Sequence, residues 1–449
     1  MRSRWWRVLK SSNIKDDEPP SAEKRYRKLS ATDTIKVQYV LFRDLVDDIP
    51  STTYATHGLY MYPAKFIPQV VRCVIKKYTH DGDRIFDPFA GYGTVAIEAS
   101  LTGRNCILWD LNPILHLLVR ASLYTDPLSL SDFHVDFDCD KPFHPRWGNI
   151  LYWHPPEFYK VLSRAWGYWR REVSWKLKPL LAIPLLKVTR YFSYSDEKIS
   201  KLYRSRYAEE KVRKLLASNW KAEMQRMYWE YAKDIVEKVR EYQSYKPKQI
   251  ECEVRASDEA FFTESRVIVD SIRDRLEREV DIILTSPPYM QAQEYIRSFK
   301  LELAWLGFSG NFISKLANHE IPYNGVGEGA ISSKTYEVFK REVEKLGHGK
   351  LLELYISYFN SIALFLDNNH GRVRDTIAIF VGPVKVRGIR IPIDTIIKEH
   401  LEHLGWRHEV TLIDTIVTRR LFKTEVNPAT GLKDERTPTE HLLVMRRRS

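Results

Sequence analysis

Cysteine is scarce in this chain. The 449 residues include four, Cys73, Cys106, Cys139 and Cys252, which are scattered and form no Cys-x-x-Cys pair. Structural zinc sites and dithiol redox sites need such close spacings, and small disulfide-stabilised folds need a denser framework. We therefore expect reduced thiols, no disulfide framework and no metal site.

Long apolar runs are also missing. A membrane-spanning helix needs about 20 consecutive apolar residues. The best candidate, residues 177–188, is shorter and is interrupted by two lysines and two prolines. The basic residues at the N-terminus are not followed by the apolar stretch of a secretory signal. We expect neither a membrane span nor a secretory signal.

Positive charge is abundant, and one segment carries most of it. The formal net charge is +12. Residues 141–250 contain 24 Lys and Arg against 11 Asp and Glu, a surplus of +13, so the rest of the chain is close to neutral. The same segment holds seven of the twelve tryptophans. This composition favours a nucleic-acid surface. The alternative is a solvated helical face with tryptophans packed beneath it.

The turn Asp-Pro-Phe-Ala-Gly-Tyr-Gly-Thr, residues 87–94, organises the sequence. A short apolar run before it predicts a strand, and residues 95–100 predict a helix. Gly91 and Gly93 can adopt backbone angles closed to other residues and let a ligand approach the backbone. The free N–H groups of the helix start favour a polar or anionic ligand group. The third glycine of the dinucleotide fingerprint is absent, so this motif alone is weak.

Two further strand ends carry polar groups. Residues 106–110 predict a strand that ends in Asp110, and an acid at this position holds ribose hydroxyls in nucleotide-type sites. Residues 281–285 predict a buried strand that runs into Ser-Pro-Pro-Tyr at residues 286–289. The two prolines fix the backbone and donate no hydrogen bond, so neighbouring carbonyls have fixed directions.

Together these motifs resemble the amino-directed DNA methyltransferases, which use S-adenosylmethionine. The resemblance rests on the glycine turn, on Asp-Leu-Asn-Pro at 110–113, on Thr-Ser-Pro-Pro-Tyr at 285–289 and on residues 56–68. The Ser spelling looks most like the cytosine-N4 branch. The basic insertion between the two half-sites is an order that many cytosine-N4 members do not use, so adenine N6 stays the alternative target.

The resemblance implies a set of site residues. The Ser286 hydroxyl and the Pro287 carbonyl would accept the hydrogens of the target amine, Pro288 would help to fix the backbone, and Tyr289 would stack on the flipped base. The cofactor residues that it implies are Lys65, Phe66, Asp87, Phe89, Ala90, Gly91, Tyr92, Gly93, Thr94, Asp110 and Asp258. Among them, Asp87 would anchor the loop, Asp110 would take the ribose hydroxyls, and Asp258 would face the adenine edge.

The expected partners follow from the same resemblance. S-adenosyl-L-methionine is the expected cofactor, double-stranded DNA the expected substrate, and a cognate restriction endonuclease a further expected partner. The expected location is the cytoplasm of a prokaryotic cell, at the nucleoid. Competing interpretations are an RNA base methyltransferase, a protein glutamine methyltransferase and a non-enzymatic nucleic-acid binder. The short segment ahead of the core disfavours the RNA methyltransferase. The basic insertion disfavours the glutamine methyltransferase, and the two intact half-sites disfavour the non-enzymatic binder.

The predicted fold is α/β, a Rossmann-like doubly wound methyltransferase sheet with a mainly helical insertion. We expect an N-terminal arm over 1–50, of which residues 1–30 are mobile, a catalytic domain formed by 51–125 and 250–449, and a basic, aromatic-rich helical insertion over 126–249. Residues 35–46 fit a helix or a hairpin, and 307–333 predict a functional loop. Further helices are predicted at 68–78, 114–124, 209–241, 266–279, 294–306, 351–366 and 392–404, and further strands at 251–258, 375–381, 410–417 and 441–445.

Overall fold

A twisted eight-stranded sheet forms the centre of the computed structural model, which describes residues 36–199, 201–290, 294–323, 325, 329–415 and 439–448. The strand order is β1-β11-β12-β8-β7-β2-β3-β4, and two short hairpins, β5–β6 and β9–β10, lie outside it. The strands are β1 (Val37–Val40), β2 (Arg84–Asp87), β3 (Asn105–Asp110), β4 (Cys252–Ala256), β5 (Asp258–Glu259), β6 (Arg266–Val267), β7 (Val280–Thr285), β8 (Val373–Val381), β9 (Val384–Val386), β10 (Ile389–Ile391), β11 (Trp406–Thr415) and β12 (Thr439–Arg447).

Helices cover both faces of the sheet. In the described ranges they are α1 (Pro68–Tyr78), α2 (Thr94–Thr102), α3 (Ile114–Ser122), α4 (Ile150–Trp153), α5 (Pro156–Arg171), α6 (Lys178–Tyr191), α7 (Arg206–Leu216), α8 (Trp220–Ser244), α9 (Tyr295–Leu306), α10 (Gly310–Asn318), α11 (Lys334–Glu344), α12 (Gly349–Asn369) and α13 (Ile393–His403). No described helix is both long enough and apolar enough to cross a bilayer.

The sheet is mostly parallel and doubly wound. Within it, β12 runs antiparallel to its two neighbours and every other pairing is parallel. Successive side chains of β7 serve opposite cores: Ile282 and Leu284 pack with α1–α3, whereas Ile283 packs with α12 and α13. Strands buried on both faces read as continuous apolar runs, which is why β7 is predictable from sequence. The α/β prediction is confirmed.

The path of the chain places a ligand site at β2. After β2 the chain adds β3 and β4 on one side, and it returns later to add β7 on the other side. Such a reversal of strand order leaves a crevice beyond the carboxyl ends of the strands. The crevice therefore lies where β2 and β3 end in Asp87 and Asp110 and where Ser286 follows β7.

The insertion packs directly on helices that cover the sheet. Helices α4–α8 share one apolar cluster with α3, α9 and α10. Trp166 and Trp169 are essentially fully buried, and the Trp166 ring stacks on Trp305 of α9 with centroids 6.1 Å apart. The indole N–H of Trp166 donates to the Thr189 hydroxyl at 2.9 Å. These two tryptophans are therefore structural, as the alternative interpretation of the aromatic content held.

Several predicted elements need correction. Residues 266–279 form β6 and turns instead of a helix, because the Asp270 carboxylate accepts the N–H of Ile272 and closes a local turn. The predicted loop 307–333 contains α10, whose start is capped by the Ser309 side chain. The predicted helix 209–241 is two helices, α7 and α8. The helix α11 was not predicted.

The N-terminal region is described in part. Residues 1–35 of the predicted arm lie outside the described residues, as do 416–438, which include the end of the predicted strand 410–417. The segment predicted as a helix or a hairpin forms β1 and a short 3-10 helix, Phe42–Asp44. Because β1 pairs in parallel with β11, this part of residues 1–50 belongs to the main sheet.

Candidate active site

The glycine turn connects β2 to α2 as the sequence predicts. Gly91 and Gly93 have φ angles of 54° and 87°, a region that favours glycine. A Cβ on Gly91 would lie 3.1 Å from the Tyr62 ring, which lines the cavity described below. A Cβ on Gly93 would lie 2.6 Å from Val119 of α3. The predicted backbone angles are confirmed, but the close approach at Gly93 is to a neighbouring helix.

Asp110 is held by two backbone donors. Its carboxylate accepts the N–H of Gly91 at 2.7 Å through Oδ2 and the N–H of Asn112 at 2.7 Å through Oδ1. Burial raises the pKa of Asp110 to about 6, although these two bonds favour the charged form. Each carboxylate oxygen can accept a second hydrogen bond, so the group stays available to a ligand.

Asp87 joins the ends of two strands. It is almost fully buried, and its Oδ1 accepts the Thr285 hydroxyl at 2.7 Å and the Phe89 N–H at 3.2 Å. Burial raises the pKa of Asp87 to about 7 against the effect of these bonds. Thr285 immediately precedes Ser286, so this contact fixes the glycine turn against the start of Ser-Pro-Pro-Tyr. Asp87 thus has the anchoring position that its motif implies.

The Lys65 ammonium is held by two backbone carbonyls at the wall of the crevice. Its ammonium donates to the carbonyls of His57 at 2.6 Å and Thr52 at 3.0 Å, and it lies 5.0 Å from the centre of the Tyr92 ring. Burial lowers the pKa of Lys65 to about 8. One of its three N–H donors is left for another acceptor.

A buried polar network supports the segment that carries Lys65. The fully buried Glu98 carboxylate accepts from the Tyr54 hydroxyl, from Nε2 of His57 at 2.8 Å and from Nε of Arg72. Because His57 also supplies the carbonyl that Lys65 binds, the network fixes one wall of the crevice from behind.

One cavity brings the two predicted half-sites together. Ten of the predicted site residues line it: Lys65, Phe66, Asp87, Phe89, Ala90, Gly91, Tyr92, Asp110, Ser286 and Pro288. Five do not: Gly93, Thr94, Asp258, Pro287 and Tyr289. Thr94 is buried at the start of α2, Pro287 is buried, and Tyr289 packs partly against the core on the α12 side.

Asp258 is placed differently from its predicted role. It is fully buried, and its carboxylate accepts the N–H groups of Glu259, Phe261, Phe262 and Thr263. These bonds close the loop after β4. The Asp258 carboxylate therefore stabilises its own loop and does not line the cavity. The predicted adenine contact at Asp258 is therefore corrected.

Several lining residues were missed by sequence reasoning. They come from the segment before the glycine turn, from the end of β3, from the turns after β6 and from the region around α9 and α10: Tyr62, Pro63, Ala64, Leu111, Asn112, Val269, Asp270, Ser271, Ile272, Tyr295, Ile296, His319, Glu320 and Ile321. The Ser271 hydroxyl donates to the Pro88 carbonyl at 2.6 Å, which attaches the β6 turns to the glycine turn. Because residues 266–279 were predicted as a helix, their contribution to the cavity was not predicted. In the described ranges no cluster of three or more metal-ligating side chains was found.

Comparison with known proteins agrees with the motifs. The family model described as DNA methylase matches residues 10–119, which include the glycine turn and Asp110. The type II methyltransferase M.MjaII of Methanocaldococcus jannaschii is 35% identical over 88 residues, 20% of this chain and 16% of that protein. The type II methyltransferase M.BsoBI of Geobacillus stearothermophilus is 24% identical over 304 residues, 62% of this chain and 58% of that protein.

The matches confirm the resemblance to the amino-directed methyltransferase family. They cover less than two thirds of the length of either relative. The sheet with its helical layers is a Rossmann-like methyltransferase fold.

Proposed function

We propose that this chain, which carries a segment of the DNA methylase family, methylates the exocyclic amine of a flipped base in double-stranded DNA. Cytosine N4 is the proposed target because the motif Ser-Pro-Pro-Tyr begins with serine, and adenine N6 is the alternative. The observation that carries the proposal is that Ser286 lines the same cavity as the glycine turn and Asp110, although the two half-sites are far apart in sequence.

The residues of the cavity fit S-adenosyl-L-methionine. Its ribose diol matches Asp110, its carboxylate matches the remaining N–H of Lys65, and its ammonium matches a buried acid such as Asp87. The small residue at position 91 leaves room beside Tyr62, which a side chain would fill. For the adenine edge we propose Asp270 in place of Asp258, because Asp270 lines the cavity. When bound, this cofactor supplies the methyl group on a positively charged sulfur.

Ser286 and its neighbours would prepare the target amine. The lone pair of an exocyclic amine is delocalised into the ring, which makes it a poor nucleophile. Two acceptors, the Ser286 hydroxyl and the Pro287 carbonyl, would favour a tetrahedral nitrogen whose lone pair is available. Acceptors fixed before reaction need no reorganisation as charge develops. Tyr289 would stack on the flipped base, whose removal from the helix costs a few kcal/mol.

The insertion offers a specific DNA surface. We define the aromatic–basic patch as Leu151, Tyr152, Tyr203, Arg204 and Tyr207. Its four apolar or aromatic side chains are 42–60% exposed. The Arg204 guanidinium lies over Tyr152 at 4.9 Å and over Tyr194 at 3.9 Å. Exposed aromatic rings held beside a cation suit a nucleic-acid backbone and its bases better than the buried tryptophans do.

The proposed setting is a restriction–modification system, with a cognate endonuclease as a further partner and the prokaryotic nucleoid as the place of action. The names of the relatives, type II methyltransferases, support this setting.

The test is nucleoside mass spectrometry of DNA and of tRNA after incubation with isotope-labelled S-adenosylmethionine. We expect labelled N4-methylcytosine in DNA. Labelled N6-methyladenine would move the target to adenine, and label in tRNA alone would contradict a DNA substrate.

A further inference from the structure

Glu320 is an acid of the cavity to which the proposed chemistry assigns no role. It follows α10 and lines the same cavity as Ser286 and Asp110. It is 7% exposed. Its Oε1 accepts the N–H of Ile296 at 2.8 Å, in the first turn of α9. Since α9 is the first described helix after Ser-Pro-Pro-Tyr, this bond attaches Glu320 to the element that follows the catalytic motif in sequence.

Glu320 differs from the three other acids of the cavity in the hydrogen bonds that the carboxylate already accepts. Asp270 accepts the N–H groups of Ile272 and Arg273 and pairs with the Arg273 guanidinium. Asp87 is used to join β2 to Thr285, and Asp110 is clamped by Gly91 and Asn112. Within the described ranges no side chain donates a hydrogen bond to the Glu320 carboxylate. Its fixed partner is a main-chain N–H, so its orientation is set while its capacity to accept remains.

The charge balance around Glu320 allows it to change protonation near neutral pH. Burial raises the pKa of Glu320 to about 7, and the negative charge of Glu294 acts in the same direction. The N–H of Ile296 and the cation of Lys300 act in the opposite direction. The titratable groups that face it are Glu294, Tyr295 and Lys300 at α9, Tyr62 before the glycine turn, and His319 and Tyr323 beside it in sequence.

We propose that Glu320 is a catalytic residue that accepts the proton released by the target amine. This inference rests on the proposed function, since it concerns the same amine and the same cavity. When the amine nitrogen forms its bond to the methyl carbon, the carbon–sulfur pair leaves with the sulfur and the nitrogen gains a positive charge. An N–H bond then breaks, its electron pair stays on nitrogen, and the proton forms an O–H bond on Glu320.

A local acceptor is favoured because most of the residues that line the cavity are buried or half-buried. A methylated amine that keeps its extra proton would be a cation held away from water, which is costly. A carboxylate whose pKa is near the working pH takes up such a proton and releases it again after the product leaves. Ser286 and Pro287 cannot do this, because a hydroxyl and a carbonyl accept hydrogen bonds but do not hold a proton at neutral pH.

The test compares the wild-type chain with Glu320→Gln in single-turnover methylation of DNA, at saturating cofactor, as a function of pH. The amide keeps the size and the Ile296 hydrogen bond of the carboxyl. We expect the wild-type rate to rise with pH through about 7, the pKa of the group. Glu320→Gln should lose this rise and react roughly 100-fold more slowly, a usual loss for a general base. Cofactor affinity by calorimetry should change less than about threefold.

Glu294→Gln is the matched control, because it removes a nearby carboxylate at the start of α9 that pairs with Arg297. It should keep the pH-dependent rise and shift it to lower pH. A Glu320→Gln chain with the wild-type rate and pH profile would overturn the inference. A large loss of cofactor affinity would also overturn it, since Glu320 would then hold the cofactor. A wild-type chain that binds cofactor but methylates no DNA would instead overturn the proposed function.

Discussion

The backbone N–H of Gly91 donates a 2.7 Å hydrogen bond to the carboxylate of Asp110. This bond joins the glycine turn after β2 to the end of β3, so that two motifs 19 residues apart form one wall of the cavity. It also explains why position 91 favours glycine: the bond holds a φ of 54° there, and a side chain would press on Tyr62.

Asp110→Ala should weaken binding of S-adenosylmethionine by about 1–3 kcal/mol, because two acceptor oxygens are removed from the expected position of the ribose. Isothermal titration calorimetry measures the change. Asp136→Ala, on the insertion and outside the cavity, serves as the control and should leave the affinity unchanged. Equal affinities of the Asp110→Ala and wild-type chains would remove Asp110 from the ribose site.

Cofactor affinity should increase with pH between about 5 and 8. Burial raises the pKa of Asp110 to about 6 and that of Asp87 to about 7, so both acids are largely protonated at the lower end of this range. A cationic ligand binds the ionised form better, and it must displace these protons at low pH. Calorimetry across this range measures the dependence, and Asp110→Asn should flatten its lower part. An affinity that falls as pH rises would have the wrong sign for this account.

Glu98→Gln should destabilise the fold by about 3 kcal/mol, because it removes the buried anionic partner of Arg72 and leaves the half-exposed Asp48 as the remaining counter-charge. The network with Tyr54 and His57 would be disturbed at the same time. Urea unfolding followed by circular dichroism gives the free energy of unfolding. Glu241→Gln, an exposed glutamate on α8, is the matched control and should stay within about 0.5 kcal/mol of wild type. A small effect of Glu98→Gln would mean that the network is not what fixes this wall.

Arg204→Ala should weaken DNA binding and reduce the slope of its salt dependence by about one counterion, if the aromatic–basic patch contacts the backbone. Fluorescence anisotropy at several salt concentrations measures both. The control is Arg226→Ala on α8, an arginine outside the patch; both arginines are paired with glutamates, Arg226 with Glu223 and Glu230 and Arg204 with Glu209. Equal losses for the two variants would indicate non-specific attraction to the insertion as a whole. Point variants suit this question better than removal of the insertion, which shares its apolar cluster with α3, α9 and α10.

The parts of the site that the sequence predicts are the ones set by local chemistry. The helix Pro68–Tyr78 has a proline at its start and apolar residues at helical spacing, and its bounds agree with the prediction. The ends of β2 and β3 follow apolar runs, so the local pattern alone identifies Asp87 and Asp110 as strand-end acids. Ser286 is predictable for the same reason.

The parts that the sequence does not predict depend on tertiary packing. Asp258 and Asp270 both accept N–H groups of their own loops, and the difference between them is that Asp270 lines the cavity. Glu320 lines the cavity beside α9, to which its carboxylate is hydrogen-bonded. The tryptophans of the basic segment look alike in sequence, but Trp166 is buried and Trp175 is 48% exposed. Whether such a residue serves the core or the surface is decided by helix packing that no local pattern encodes.

The most direct test of the central claim is the rate of methyl transfer by Ser286→Ala under single-turnover conditions. Removing one prearranged hydrogen-bonding group from the amine should lower the rate by roughly 10²–10³. Cofactor affinity should remain near that of wild type, because the hydroxyl is directed at the substrate. Ser314→Ala, an exposed serine on α10, is the control and should react at the wild-type rate. A Ser286→Ala chain that methylates DNA as fast as wild type would contradict the assignment of Ser-Pro-Pro-Tyr as the catalytic site.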